Sequence, residues 1–315
     1  MTASSPPAAE TPGAAQPAAR PAEWRDFISL MKPRVMSLVV FTAITGLLVS
    51  RGPIHPLLGA VAILCVTVGA GASAAFNMAW EGDIDALMRR TRGRPVAAGR
   101  VPSNEAALYG GVLSAFSVLV MGMAANWLAA GLLAFTIFFY AVVYTRWLKR
   151  STPQNIVIGG LAGALPPAIG WAAATGSAPL DAWLLVGLIF LWTPAHFWAL
   201  SLAVKTDYAR AGVPMMPVVA GAPSTRQQIV VYAVITALFA GSPLLTGLGG
   251  YAYAAVAAVG GVAFVAFSVL LLRSRAGEEG ADNRPARRLF AFSILYLFLL
   301  FAALLAERFI PVLHP

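Results

Sequence analysis

The sequence predicts an all-α integral membrane protein, a bundle of nine transmembrane helices with its amino terminus in the cytoplasm. Three observations predict it. Of 315 residues, 59% are apolar and 11% are charged, and the mean hydropathy is +0.75. A soluble domain usually carries about 25% charged residues, so this chain lacks the charge to coat a water-facing surface. Long uncharged stretches recur at the length of a bilayer crossing, and the basic residues gather on alternate connections. The single cysteine, Cys65, lies in an apolar run, so no disulfide framework is available.

The elements follow in chain order. Residues 1–23 are rich in Ala and Pro without an apolar core, and read as a disordered cytoplasmic tail rather than a signal peptide or a first span. An Arg-rich amphipathic presequence is also missing, which argues against mitochondrial import. Residues 24–315 then form one membrane domain. A crossing needs about 20 apolar residues. The uncharged stretches 35–50, 52–80, 151–180, 182–204 and 289–306 each fit one, the first being the shortest. Residues 106–145 and 227–272 would be about 60 and about 69 Å long as single helices, so each divides into two. Asn126 is the natural turn in the first, and Gly247, Gly249 and Gly250 in the second.

Charge gives an independent test. Nine spans with the amino terminus inside put the tail and residues 81–105, 146–155, 205–226 and 273–288 in the cytoplasm. Those segments hold 20 of the 22 basic residues, leaving only Arg51 and Arg308 outside, the bias that the positive-inside rule requires. The net charge of +9 is therefore mostly topological. Nucleic acid is excluded as a partner because the basic residues are spread over five loops rather than one face.

Chemistry concentrates where the second span emerges. Asn77, Glu81, Asp85 and Arg89 recur every four residues, so they share one face if the helix continues. Like charges at that spacing repel, and ionised groups at a membrane boundary are costly. A hard cation with oxygen ligands offsets both, and Mg²⁺ typically takes one or two carboxylates plus substrate phosphate oxygens. Arg89, Arg92 and Arg94 can supply charge-assisted hydrogen bonds to the same phosphates. Asp83 points about 200° from Glu81 on an ideal helix and serves only if the helix unwinds. The alternative is a solvated loop whose acids pair with its own arginines.

Asn77 to Arg94 resembles the N-x-x-x-D-x-x-x-D motif of the UbiA superfamily of intramembrane prenyltransferases, in the form found in its heme-prenylating branch. Further segments extend the likeness over about residues 24–310. They are Leu30 to Arg34 at the first span, Tyr144 to Gly160 at the fourth-to-fifth connection, Ala164 to Trp171, Leu191 to Leu200, and Lys205 to Pro217. One departure is Glu81, where the superfamily usually has Asp; its oxygens sit one methylene further out. The resemblance implies a nine-helix prenyltransferase fold in a bacterial inner membrane, with the active site facing the cytoplasm. It implies a Mg²⁺ cofactor held by Asn77, Glu81 and Asp85, and transfer of a farnesyl group from farnesyl diphosphate to a vinyl group of heme b. Water then adds to give a hydroxyethylfarnesyl side chain. The lipid bilayer is the surrounding partner. Heme A synthase or the terminal oxidase assembly machinery are candidate recipients of the product.

Superfamily members carry a second aspartate-rich motif after the sixth span, where this chain keeps only Asp207, followed four residues later by Ala211. Lys205 suits a diphosphate oxygen or is a topology signal. Tyr144 and Asn155 contact diphosphate or anchor the interface, and Lys149 is a diphosphate ligand or a topology signal. His196, flanked by Trp192, Phe197 and Trp198 in an uncharged span, is a functional candidate. Neutral imidazole ligates heme iron and indole rings suit a flat porphyrin, so His196, Trp192 and Trp198 are assigned to heme. The alternative is a histidine hydrogen-bonded across helices, to Tyr144 or a backbone carbonyl. Cys65 reads as core packing, His55 and His314 as surface, and Pro166-Pro167 as a kink that opens the cavity. Competing functions are a related enzyme that prenylates a quinone precursor or chlorophyllide, a transporter, and a heme chaperone.

Overall fold

The computed structural model describes residues 21–310, apart from the side chains of Arg34 and Val35. Most of the tail expected over residues 1–23, and His314, lie outside those residues. Every regular element among the described residues is helical. A short α1 (Trp24–Leu30) precedes α2 (Pro33–Val49) and α3 (Pro56–Trp80), and α4 (Gly82–Leu87) follows at once. The 106–145 stretch divides as its asparagine requires, into α5 (Ser103–Ala124) and α6 (Trp127–Phe138). Asn126 caps α6 by accepting from the Ala129 amide at 2.9 Å, while its Nδ2 donates to the Ala172 carbonyl at 2.7 Å. The chain then continues as a π-helix over Phe139–Leu148 into α7 (Lys149–Ser151).

The prolines divide the next crossing into α8 (Asn155–Ala164) and α9 (Pro166–Thr175), because Pro166 has no amide to continue the ladder. After α10 (Leu180–Ala203) come two short helices, α11 (Lys205–Arg210) and α12 (Met216–Val219). The last long stretch turns between α13 (Gly221–Phe239) with α14 (Ser242–Leu245) and α15 (Tyr251–Leu272), with Gly247 at φ +74°. α16 (Arg284–Phe309) ends the bundle. Among the described residues, eight helical segments are long and apolar enough to cross a membrane, and Met36–Val49 is a shorter apolar helix. This is a multi-pass membrane protein.

The α8–α9 segment is the central one, 78% buried against 28% for α5 or α15. It meets α2 with the backbones nearly in contact: a Cβ on Gly46 would lie 2.1 Å from the Pro167 carbonyl oxygen, and one on Gly170 would lie 2.1 Å from that of Ala43. Close approach through small residues is the usual packing mode in lipid, where apolar burial gives no driving force. Leu108, Leu238, Val259 and Val262 face outward, as a lipid-solvated surface requires. At the far end of the bundle Glu307 of α16 is buried, and its two oxygens accept the Gly250 and Tyr253 amides at 2.7 Å, capping α15 from a neighbouring helix.

Candidate functional site

The helical ladder of α3 runs to Trp80, and Glu81, at φ −114° and ψ 14°, leaves helical geometry before α4 begins. The Asp85 amide still donates to the Glu81 carbonyl at 2.8 Å, so the break is a kink. Asn77, Glu81 and Asp85 accordingly stay on one interior side, at 3%, 0% and 2% exposure. The shared face stops there. α4 ends at Leu87 and Met88 is extended, so Arg89 does not join it as the four-residue spacing had suggested. Its side chain is 73% exposed, with Nε 3.5 Å from Asp207.

Each of the three interior side chains is held by a cation from a different element. The Lys32 ammonium donates to Asn77 Oδ1 at 2.7 Å, and Asn77 Nδ2 donates to Thr145 Oγ1 at 3.2 Å. Lys149 of α7 donates to Glu81 Oε2. Arg94 Nη1, from the loop after α4, donates to both oxygens of Asp85 at 2.8 Å. Glu81 Oε1 is buried and has no hydrogen-bond partner. Lys32 sits in the left-handed region at φ 52° just before Pro33, a conformation costing roughly 1–2 kcal/mol for a residue with a Cβ. Burial, together with the charges of Arg94 and Lys149, pulls its ammonium down to about 7 against the opposing pull of Glu81 and Asp85.

The other candidates fall around this cluster in different ways. Asp83 is solvent-facing and pairs with Arg150 at 2.8 Å, and the guanidinium hydrogen bonds hold its carboxyl below the usual range. Asp207 is buried and faces Arg89 and Arg210, at 3.5 and 3.6 Å, so the second acidic segment is tied to the first by Arg89. Arg92 is exposed and held by no described ion pair, and Lys205 is half-buried at the start of α11. Asn155 is fully buried; its Nδ2 donates to the Thr152 carbonyl at 2.6 Å while its Oδ1 has no partner.

Two cavities open beside the cluster. The larger, about 520 Å³, lies among α2, the π-helix, α8, α10 and α16, with Tyr144, Trp192, His196 and Phe290 in its walls. The smaller, about 140 Å³, is almost wholly apolar and runs from Lys32 past Gly69 and Leu133 to Pro166 and Ile169. Tyr144 is seated against Gly159, where a Cβ would lie 2.2 Å from its ring. The His196 ring is stacked between Trp192 and Phe290, at centroid distances of 4.1 and 4.5 Å. Its Nδ1 hydrogen-bonds Ser293 Oγ at 2.7 Å, and Trp192 Nε1 donates to the Ser293 carbonyl at 2.9 Å. The cross-helix partner of His196 is thus Ser293 of α16, neither Tyr144 nor a carbonyl. Trp198 is not in the cavity wall: it is fully buried with its ring edge on Tyr232, because two residues past His196 turns it to the opposite face.

Lys32, Thr145, Ser293 and Phe290 are site residues that the reading of the sequence missed. Lys32 had a visible signal, a lysine held next to Pro33 in a chain where charge is scarce. The others depend on which helix packs where.

The profile of the UbiA prenyltransferase family matches residues 38–295. The chain is 62% identical to the protoheme IX farnesyltransferase of Caulobacter sp. strain K31, covering 95% of this chain and 94% of that one. It is 55% identical to the protoheme IX farnesyltransferase of Hyphomonas neptunium, covering 94% and 95%. Among solved structures, a digeranylgeranylglyceryl phosphate synthase aligns with a TM-score of 0.74 at 16% identity, covering 90% of this chain and 98% of that one. A UbiA homolog from Archaeoglobus fulgidus bound to GPP and Mg²⁺ aligns with a TM-score of 0.61 at 15% identity, covering 89% and 99%. At such identities these two structures speak for the fold.

Proposed function

The chain belongs to the UbiA prenyltransferase family, and from that membership we propose that it transfers a farnesyl group from farnesyl diphosphate to a vinyl group of protoheme IX, with addition of water, releasing heme O and diphosphate. The observation that carries the reading is the 55–62% identity to protoheme IX farnesyltransferases across more than nine-tenths of the chain. The geometry supports it: a cation-lined oxygen cluster stands beside a cavity walled by Trp192, His196 and Phe290, of a size suited to a large flat ligand.

Asn77, Glu81 and Asp85 fit a Mg²⁺ ion. All three offer oxygen, the donor type that hard cations take, and Glu81 Oε1 is a buried acceptor without a donor. Such an ion supplies charge neutralisation on the leaving diphosphate. The remaining work falls to the chain's own side chains. Lys32, Lys149 and Arg94 face two carboxylates, an excess of one positive charge that a magnesium-bound prenyl diphosphate, left with one negative charge, would balance. The three cations can then turn from Asn77, Glu81 and Asp85 toward phosphate oxygens, stabilising the charge that develops as the C–O bond breaks. Arg89, with Asp207 behind it, and Lys205, Tyr144 and Asn155 are assigned to the same anion. The small apolar cavity begins at Lys32 and receives the isoprenoid chain with water excluded, and His196 and Trp192 meet the porphyrin.

The bundle sits in the bacterial inner membrane with nine crossings, the cluster on the cytoplasmic side, and residues 24–315 forming one domain. The 17 residues of α2 rise about 26 Å, close to the roughly 30 Å of the bilayer core, which supports counting it as a crossing. Membranes containing the protein, supplied with farnesyl diphosphate and either heme or a hydroxybenzoate, test the substrate. Mass spectrometry is expected to find heme O, formed only with a divalent ion present. Prenylated hydroxybenzoate in its place, or full turnover after chelation, would overturn the reading.

A further inference from the structure

The farnesyl-transfer reading leaves one step without a residue: the addition of water to the alkylated vinyl group. We propose that Tyr140 holds that water. The inference rests on the reading above and concerns only which group positions the hydroxyl oxygen of the product.

The two cavities meet at Val39, Tyr140 and Gly163, which wall both. If the isoprenoid chain occupies the apolar cavity and the porphyrin the aromatic one, the prenyl C1 and the vinyl carbon meet at that junction. Of the three residues there, Tyr140 alone has a polar side chain. Other hydroxyls in the walls are already committed. Thr42 donates to the Val39 carbonyl at 2.9 Å, Ser73 to that of Gly69 at 3.0 Å, Thr136 to that of Leu132 at 2.8 Å and Thr193 to that of Ile189 at 2.7 Å. The Tyr140 hydroxyl has no hydrogen bond among the described residues. The phenol of Tyr144, its ring 5.3 Å away, walls only the larger cavity.

Tyr140 and Tyr144 are four residues apart in the π-helix, on one face of it, and both line the larger cavity. π-helical segments are rare and gather at functional sites.

The chemistry balances as follows. The C1–O bond of the prenyl diphosphate breaks and the diphosphate leaves with the electron pair. The vinyl π electrons form the new C–C bond to C1, and the positive charge passes to the vinyl carbon next to the macrocycle. A water molecule hydrogen-bonded to the Tyr140 hydroxyl adds its oxygen to that carbon, and the proton it loses goes to the departed diphosphate. Without a held water, the same cation sheds a proton from the adjacent CH₂ and becomes an alkene. That product is lighter than heme O by the mass of one water.

Tyr140→Phe keeps the ring and removes the hydroxyl. Extracted porphyrins from membranes given farnesyl diphosphate and heme in heavy-oxygen water separate the outcomes. Wild-type protein is expected to give the hydroxylated product carrying the heavy oxygen, whereas Tyr140→Phe gives a larger share of the prenylated alkene, with the hydroxylated fraction down by up to about tenfold, as the loss of one well-aligned hydrogen bond allows. A product mixture unchanged in Tyr140→Phe overturns the proposal. So does loss of every prenylated heme in a variant still inserted, since alkylation does not need this hydroxyl. A wild-type protein that prenylates no heme would instead sink the underlying reading.

Discussion

Replacing Asp85 by Asn tests the metal-clamp assignment with little change in shape. The Asp85 side chain is 3% exposed, and both of its oxygens accept from Arg94, itself 25% exposed. The amide keeps the volume and loses the charge. The amide oxygen still accepts from Arg94 Nη1 but the amide nitrogen is a donor and cannot, so one of the two contacts, worth about 1.5–3 kcal/mol between charged partners, is lost. Packing is otherwise unchanged, and the protein should still insert. Catalysis should suffer more. Removing one preorganised electrostatic group from an acyl-transfer site costs about 10²–10³-fold in rate, or about 3–4 kcal/mol, and a similar fall in kcat/KM is expected here. Half-saturation by Mg²⁺ should rise in parallel, and Asp85→Ala, which also leaves a void, should abolish turnover. Asp83→Asn is the internal control: that carboxylate is 64% exposed in a pair with Arg150, worth at most about 1 kcal/mol, and turnover should stay within about twofold of wild type. The assay is heme O formation at fixed protein in membranes, across a Mg²⁺ series. Wild-type kcat/KM and Mg²⁺ dependence in Asp85→Asn would refute the reasoning.

Further expectations follow from the same geometry. Lys32, pulled to about 7, becomes neutral above that pH and loses its grip on an anion. The kcat/KM for farnesyl diphosphate should therefore fall as pH rises through about 7, and Lys32→Arg, which stays charged, should move that break upward; a profile identical in both proteins would contradict the role. Gly159→Ala puts a methyl group 2.2 Å from the Tyr144 ring, so overpacking of about 1–3 kcal/mol is expected, with a lower thermal midpoint and a raised KM for farnesyl diphosphate. His196→Phe preserves the stack between Trp192 and Phe290 but removes both nitrogens. The KM for heme should rise about tenfold or more while that for farnesyl diphosphate holds, and equal changes in both would remove His196 from the heme wall.

What the sequence revealed about this molecule follows the range of the forces involved. Local rules located the turns: Asn126 caps its helix, Pro166 divides a crossing, and Gly247 takes a left-handed turn. The four-residue spacing brought Asn77, Glu81 and Asp85 to one interior side, since the kink at Glu81 preserves one ladder bond. Failure began where the helix ended, at Arg89, and where a residue's meaning depended on distant chain. Lys32 reaches Asn77 across 45 positions and Ser293 reaches His196 across 97, distances that no periodicity encodes. Arginines read as free for phosphate turn out to be shared: Arg94 already serves Asp85, and Arg89 serves Asp207. The π-helix was also invisible, because the 3.6-residue periodicity of an apolar stretch does not distinguish its wider turns from those of an α-helix.

The carboxylate of Glu307 fixes an order of assembly. Until the last turns of α16 have been synthesised and threaded, the opening amides of α15 at Gly250 and Tyr253 have no acceptor, and each bare amide costs about 1–3 kcal/mol. The penultimate hairpin is therefore provisional during biogenesis and locks only when the carboxyl-terminal segment arrives. A premature stop a few codons upstream of Glu307 would not merely trim an end; it would leave the opening amides of the preceding helix without their carboxylate acceptor.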